Sequence, residues 1–282
     1  MKLTLGTVQF GLNYGVQNSS GIPDNEELAK IFNTAEKSGI NTFDTAQAYG
    51  NAEERIAEYL KEDSKVISKF KFTDKQEILQ QNLESSLSTL KLKKLYGYMA
   101  HNADNLIQYP SLWDKLLENK GSGLVNKIGY SLYNVNQLEN LLDMGLVPDI
   151  VQLPYSLLDR KFEPMLGVLK NLGVEVHARS VFLQGLYFMD PNNLPLKLTS
   201  LKICIQELNL LAEKFSYSIA EMALNFVINH KNIDMVVIGI DTEEQLKTNI
   251  GLIDPLFNLK ALYNKIEQIA VPNPELLNPS NW

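Results

Sequence analysis

Short apolar runs recur eight times along the chain, and each is followed by a segment with helical spacing. The runs are KLTLGTV (2–8), NTFDTA (41–46), KVISKF (65–70), LYGYMA (95–100), KIGYS (127–131), IVQLPY (150–155), EVHARS (175–180) and MVVIG (235–239). Helices are expected at 25–39, 51–60, 74–90, 111–119, 135–144 and 160–172, then as pairs at 198–214 with 218–230 and at 242–250 with 256–269. Apolar strands alternating with amphipathic helices indicate a parallel sheet covered on its outside. Eight such units in 282 residues, with no break in composition, point to one α/β domain over 1–282. They favour a closed (β/α)8 TIM barrel over an open doubly wound sheet. The open alternative would carry G-x-G-x-x-G after its first strand; here the segment reads TVQFGLNYGVQNSSG, and no GxxxxGK[ST] occurs. Local signals agree: Asp24 is placed to N-cap the first long helix, Gly39 to follow its end, and Asn51 with Glu54 resembles a capping box.

Composition narrows the function classes. The chain is 45% hydrophobic and 21% charged, enough apolar material for a large core. A net charge of -7 argues against a nucleic-acid binder, which needs a basic stripe, and KLKK at 91–94 reads as a helix end. The single cysteine, Cys204, excludes an intramolecular disulfide and any CxxC metal site, and reads as core. The N-terminus lacks the apolar stretch of a signal peptide, and no run approaches the roughly 18–20 residues of a membrane span. A cytoplasmic protein is expected.

In a parallel barrel, chemistry sits at the C-terminal ends of the strands. The second run ends at Asp44, with Tyr49 in the loop beyond; Lys69 ends the third and His101 follows the fourth. Each has an ordinary explanation alone: Asp closes strands, Tyr packs anywhere, a strand-end lysine is solvated, a histidine caps or fills a core. At the ends of three successive strands they converge on one side of the mouth. His177 reads as a core histidine, and His230 sits at a helix C-terminus, where the dipole favours a cation. No Cys/His/Asp cluster at ligand spacing suggests a metal.

FDTAQAYG, VISKF and YMAHN, in this order, resemble the aldo-keto reductase family. LGTVQFG, KIGYS, VQLPYSLLDR, RSVFLQGL and VVIGIDTEEQLKTNIG extend the resemblance nearly end to end, and YGNAE with Glu53 also fits. The resemblance implies hydride transfer from a reduced nicotinamide to a carbonyl. It makes Tyr49 the general acid, with Lys69 pulling its phenol down from about 10. Asp44 would hold Lys69 charged and aimed, and His101 would donate a hydrogen bond to the carbonyl oxygen. The resemblance also implies a dinucleotide lying extended across the mouth. Gly6 and Thr7 would lie near the nicotinamide ribose, with Asp44 close by, and Ser131 and Gln152 would hold the carboxamide. Ser180, Gln184, Gly185 and Leu186 would wrap the pyrophosphate with backbone N–H groups, and Asn249 would meet the adenine.

Three positions depart from the family pattern. Leu132 stands where many members have an Asn. Arg179 replaces an aromatic ring at the end of the seventh run, and could stack on a flat ring or bind an anion on the substrate. Gly239 and Gln245 align with the basic ligands of a 2′-phosphate, with Lys247 nearby. NADPH is the expected cofactor on family grounds, with NADH as the alternative.

The expected function is therefore NAD(P)H-dependent reduction of an aldehyde or ketone. The loop GLNYGVQNSSGIP and RSVFLQGL look similar to members associated with bacterial sugar and surface-glycan biosynthesis. That suggests a sugar or nucleotide-sugar carbonyl as the small-molecule substrate. The rival reading is a cofactor-binding regulatory or sensor protein with little turnover. A barrel aldolase using Lys69 as Schiff base would need an uncharged lysine, which Asp44 opposes. Nothing in the sequence indicates an oligomeric state.

Overall fold

The computed structural model describes residues 1–15, 21–257 and 259–282. Eight strands close into a barrel in chain order: β1 (Leu3–Gly6), β2 (Thr42–Asp44), β3 (Lys65–Phe70), β4 (Leu95–Ala100), β5 (Val125–Ser131), β6 (Ile150–Pro154), β7 (Glu175–Arg179) and β8 (Met235–Gly239). All neighbouring pairs are parallel, and β8 returns to β1 to complete the ring. The strands' outer faces and the surrounding helices share one large apolar core. A smaller cluster of Ile67, Met99 and Ile150 fills the inside of the barrel.

That inner cluster explains where the polar residues go. Side chains alternate along a strand, so the residue two beyond an inward one also points inward, one layer nearer the C-terminal mouth. Lys69 follows Ile67, His101 follows Met99 and Gln152 follows Ile150 at this spacing. At the opposite end, Glu175 gathers His177 Nε2 (2.6 Å), Tyr96 Oη (2.7 Å) and Lys127. Burial opposes charge on Glu175, but these partners outweigh it and hold its carboxyl at about 2. His177 is thus a fully buried core residue, as expected.

Asp24 caps helix Asn25–Lys37 by accepting from Glu27 N at 2.8 Å, and Gly39 adopts φ +71° beyond its end. Three expectations change. The first strand stops at Gly6, and Val8–Gly11 forms a helical turn. The helix expected over 51–60 is confined to Ala52–Ile56, and Asn51 does not cap it. Its φ/ψ of -99°/22° is not the extended conformation that a capping side chain needs. The helix expected from 198 opens as a 3₁₀ segment, Leu196–Leu201, before α-helix Lys202–Phe215. Among the described residues, no helix is long and apolar enough to cross a membrane.

Candidate active site

The ladder does not stop where β2 ends. Thr45 N donates to Ile67 O (2.8 Å) and Gln47 N to Lys69 O (3.1 Å), so the chain beyond Asp44 continues alongside β3. This delivers Tyr49 over Lys69, whose Nζ lies 5.1 Å from the Tyr49 ring centroid. Two glycines allow the turn. Gly50 has φ +59°, and a Cβ there would lie 2.3 Å from Gly11 O; a Cβ on Gly11 would lie 1.9 Å from Tyr49 O. The loop after β1 therefore presses backbone to backbone on the turn that holds Tyr49. Arg55 secures the same loop by donating to Phe10 O and Pro23 O, each at 2.6 Å. Residues 16–20 of that loop, part of the stretch singled out in the sequence, lie outside the described residues.

Beneath Tyr49 is a buried ion pair. Lys69 Nζ donates to Asp44 Oδ1 at 2.6 Å and to Thr45 O at 3.0 Å, and the Lys69 side chain is 0% exposed. Burial works against the ammonium, but Asp44 and Tyr49 outweigh it and hold its pKa above the usual lysine value. Gln152, on β6 across the barrel, donates to the other Asp44 oxygen at 2.8 Å. Asp44 is thus bound from both sides. For Tyr49, burial pushes the phenol up and Lys69 pulls it down, and burial prevails. The effect of Lys69 has the expected sign, but it does not bring the phenol below its ordinary value; the hydroxyl keeps its proton at neutral pH.

His101 faces Tyr49 edge-on, with ring centroids 5.5 Å apart at 85°. Burial and, next, the charge of Lys69 lower its pKa from 6.5 to about 4, so the ring is neutral at pH 7 and carries one N–H donor. Between these values the unfolded chain binds more protons than the folded one. His101 therefore contributes stability above about 6.5 that is lost as pH falls through about 4. In an NMR titration its ring signals should hold their neutral shifts until pH approaches 4; a midpoint near 6.5 would contradict this environment.

A cavity of about 510 Å³ opens beside these groups. Asp44, Tyr49, Gln152 and Arg179 line one end, and Asp241, Thr242, Glu244, Gln245, Thr248 and Asn249 line the other. Gly6, Thr7, Ser180, Gln184, Gly185 and Gly239 lie on its walls. Of the residues proposed from sequence, Lys69, His101, Ser131 and Leu186 do not line it; Lys69 and His101 stand against Tyr49, which does. Ser131 is buried in register with Gln152, and the side chain of Leu186 joins the apolar core. Arg179 lies over the Tyr133 ring at 4.7 Å and donates to Leu132 O (2.9 Å) and Ser180 Oγ (3.2 Å). Lys247 does not line the cavity; it pairs with Glu243 at 3.0 Å.

The loop after β7 passes repeatedly through left-handed backbone. Ser180, Leu183, Gln184 and Gly185 have φ of 63°, 45°, 52° and 91°. Successive left-handed residues can form an anion-binding nest, but here Leu183 N donates to Ser180 O and Gly185 N to Phe182 O, both at 2.9 Å. Buried Leu183, Leu186 and Tyr187 anchor the segment, with Tyr187 Oη bonded to Ser156 Oγ at 2.9 Å. Gln184 also reaches across to donate to Tyr14 Oη. Thr7 Oγ1 and Gln9 Oε1 are buried on the cavity wall with no partner among the described residues. A long wall that carries the unpartnered Thr7 Oγ1 and Gln9 Oε1 and the Ser180–Gly185 turn fits an extended dinucleotide. The sequence reading missed Gln9, Tyr14, Asp241 and Glu244. Tyr14 stood within the loop already singled out, but nothing local showed that it faces Gln184, 170 residues away.

The aldo/keto reductase family model matches residues 2–269. A methylglyoxal reductase of Salmonella typhimurium is 30% identical over 160 residues, 54% of this chain and 56% of that protein. The match thus spans about half the length of that relative. The L-glyceraldehyde 3-phosphate reductase of Escherichia coli is 25% identical over 95% of this chain and 90% of its own. Among solved structures, an aldo-keto reductase from Bacillus halodurans superposes with a TM-score of 0.77, covering 95% of this chain and 92% of that one at 21% identity.

Proposed function

Because the chain belongs to the aldo/keto reductase family, we propose that it reduces the carbonyl of a small aldehyde or ketone that carries an anionic group. The observation that carries this reading is the Lys69–Asp44 pair, fully desolvated beneath a protonated Tyr49 and opposite a neutral His101. A buried ion pair adds little stability over an apolar substitute, so its presence under a single phenol argues for chemistry.

A bound reduced nicotinamide would supply the hydride. The residues of this chain handle the oxygen. His101 donates its N–H to the substrate carbonyl oxygen and orients it toward Tyr49. Tyr49 Oη transfers its proton to that oxygen as the C–O bond becomes an alcohol, and regains a proton from solvent through the mouth. While the phenolate exists, the adjacent Lys69 ammonium stabilises it, and Asp44 keeps Lys69 charged. Gln152 holds Asp44 and leaves the rest of its amide facing the cavity, where it would bind the carboxamide. Thr7 and Gln9 would meet the nicotinamide half, and Ser180 with Gln184 the pyrophosphate.

Arg179 supports the anionic substrate. It has five N–H donors, two of which are used within the chain, and its charge reaches both Tyr49 and His101. The E. coli relative is named for a phosphorylated aldehyde, and nucleotide-sugar carbonyls share that anionic character. Absorbance at the reduced-nicotinamide band, read with phosphorylated aldehydes, sugar carbonyls and uncharged aldehydes, tests the reading. Arg179→Met should raise KM for the anionic substrates by roughly ten- to a hundredfold and leave the uncharged ones nearly unchanged. Faster kcat/KM on simple uncharged aldehydes would remove the substrate class.

A further inference from the structure

The two ends of the cavity differ in charge. Arg179 is the single cation among the described lining residues, and it belongs to the Tyr49 end. The far end presents two carboxylates, the half-buried Asp241 and the exposed Glu244, with no lysine or arginine. From this asymmetry we propose that the far end accepts a ribose 2′-hydroxyl and rejects a 2′-phosphate, so that the chain selects NADH over NADPH. The inference rests on the reductase reading above, which puts the nicotinamide at Tyr49 and hence the adenosine half beside helix Glu243–Gly251.

A helix N-terminus could in principle rescue a phosphate by offering free N–H groups. Here two of them are taken, and so is the N–H just before the cap. Gln245 N donates to the capping Thr242 Oγ1 (3.2 Å), Glu243 N to Glu27 Oε1 (2.6 Å) and Asp241 N to Gln245 Oε1 (2.7 Å). A third carboxylate, Glu27, therefore occupies this end of the helix. The neighbouring ammonium groups are also engaged: Lys247 with Glu243 at 3.0 Å, and Lys30 with Glu26 at 2.9 Å and Glu27 at 3.7 Å. A dianionic phosphate would meet like charge in a partly dry cavity, where repulsion is stronger than in water. A hydroxyl has the opposite relation to the same groups, because it donates and carboxylates accept.

Calorimetric titration of the intact protein with NADH and with NADPH, at low and moderate salt, tests this without reference to turnover. NADH should bind at least about tenfold more tightly, and added salt should narrow the gap by screening the repulsion of NADPH. The double variant Asp241→Ser with Glu244→Lys should shift the NADPH-to-NADH affinity ratio by about tenfold or more toward NADPH. Glu244→Lys alone changes an exposed side chain, and should shift the ratio in the same direction if the double variant folds poorly. Wild-type protein that binds NADPH as tightly as NADH overturns the proposal, as does a ratio that neither variant moves. Failure of both dinucleotides to bind would remove the reductase reading itself, and this inference with it.

Discussion

Tyr49→Phe is expected to lower kcat by about 10²–10⁴-fold while dinucleotide affinity stays within about twofold. Removing one oxygen deletes the proton donor placed between Lys69 and His101 and keeps the ring. The ring still packs edge-on against His101, and the Gly11–Gly50 contact that holds the turn is a backbone contact. Binding should therefore survive, since Asp44 Oδ1 and Thr45 O hold Lys69 in place without the phenol hydroxyl. Calorimetry for the dinucleotide and absorbance for turnover separate the two effects. Retention of more than about a tenth of wild-type kcat would mean that another group supplies the proton.

Lys69→Met should cost about 3–5 kcal/mol, because it leaves Asp44 buried at 3% exposure with only Gln152 facing its charge. For a chain of this size, that corresponds to a fall of roughly 10 °C in Tm. Pairing it with Asp44→Asn removes the stranded charge, so the double variant should recover most of the stability and none of the activity. Recovery of both would make the pair structural and undo its role beside Tyr49. The pH dependence has a definite sign. The folded state raises the Lys69 pKa above 10.5, so the pair's contribution is complete below that value and is lost only as pH rises through the higher folded one. The stability gap between wild type and Lys69→Met should thus hold steady between about pH 6 and pH 9. A gap that closes within that window would place the lysine in a different environment.

The positions that were readable from sequence share one property. Asp44, Lys69 and His101 sit at the ends of consecutive strands, and their inward direction follows from two-residue alternation behind Ile67 and Met99. The positions that were not readable depend on what lies across the barrel. Gln152 was expected on a carboxamide; its bond to Asp44 joins residues 108 apart in the chain. Ser131 and Leu186 were expected at the cofactor; Ser131 is buried beside Gln152, and the Leu186 side chain packs in the apolar core while its expected contact was the backbone N–H. Asp241 and Glu244 lie between Gly239 and Gln245 along the chain with no sequence signal of their own, and the cavity wall groups all four.

By itself the sequence determined the eight strand–helix units and their closure into a barrel, and it put Asp44, Tyr49, Lys69 and His101 at neighbouring strand ends. Periodicity, caps and strand ends are local properties, and they survive being read one segment at a time. Tertiary structure alone decided the protonation states and the charge of each end of the cavity. Whether Tyr49 keeps its proton, His101 loses its own or Glu27 occupies the N-terminus of a helix more than two hundred residues away depends on burial and on distance through space. Neither quantity is written in the order of residues along the chain.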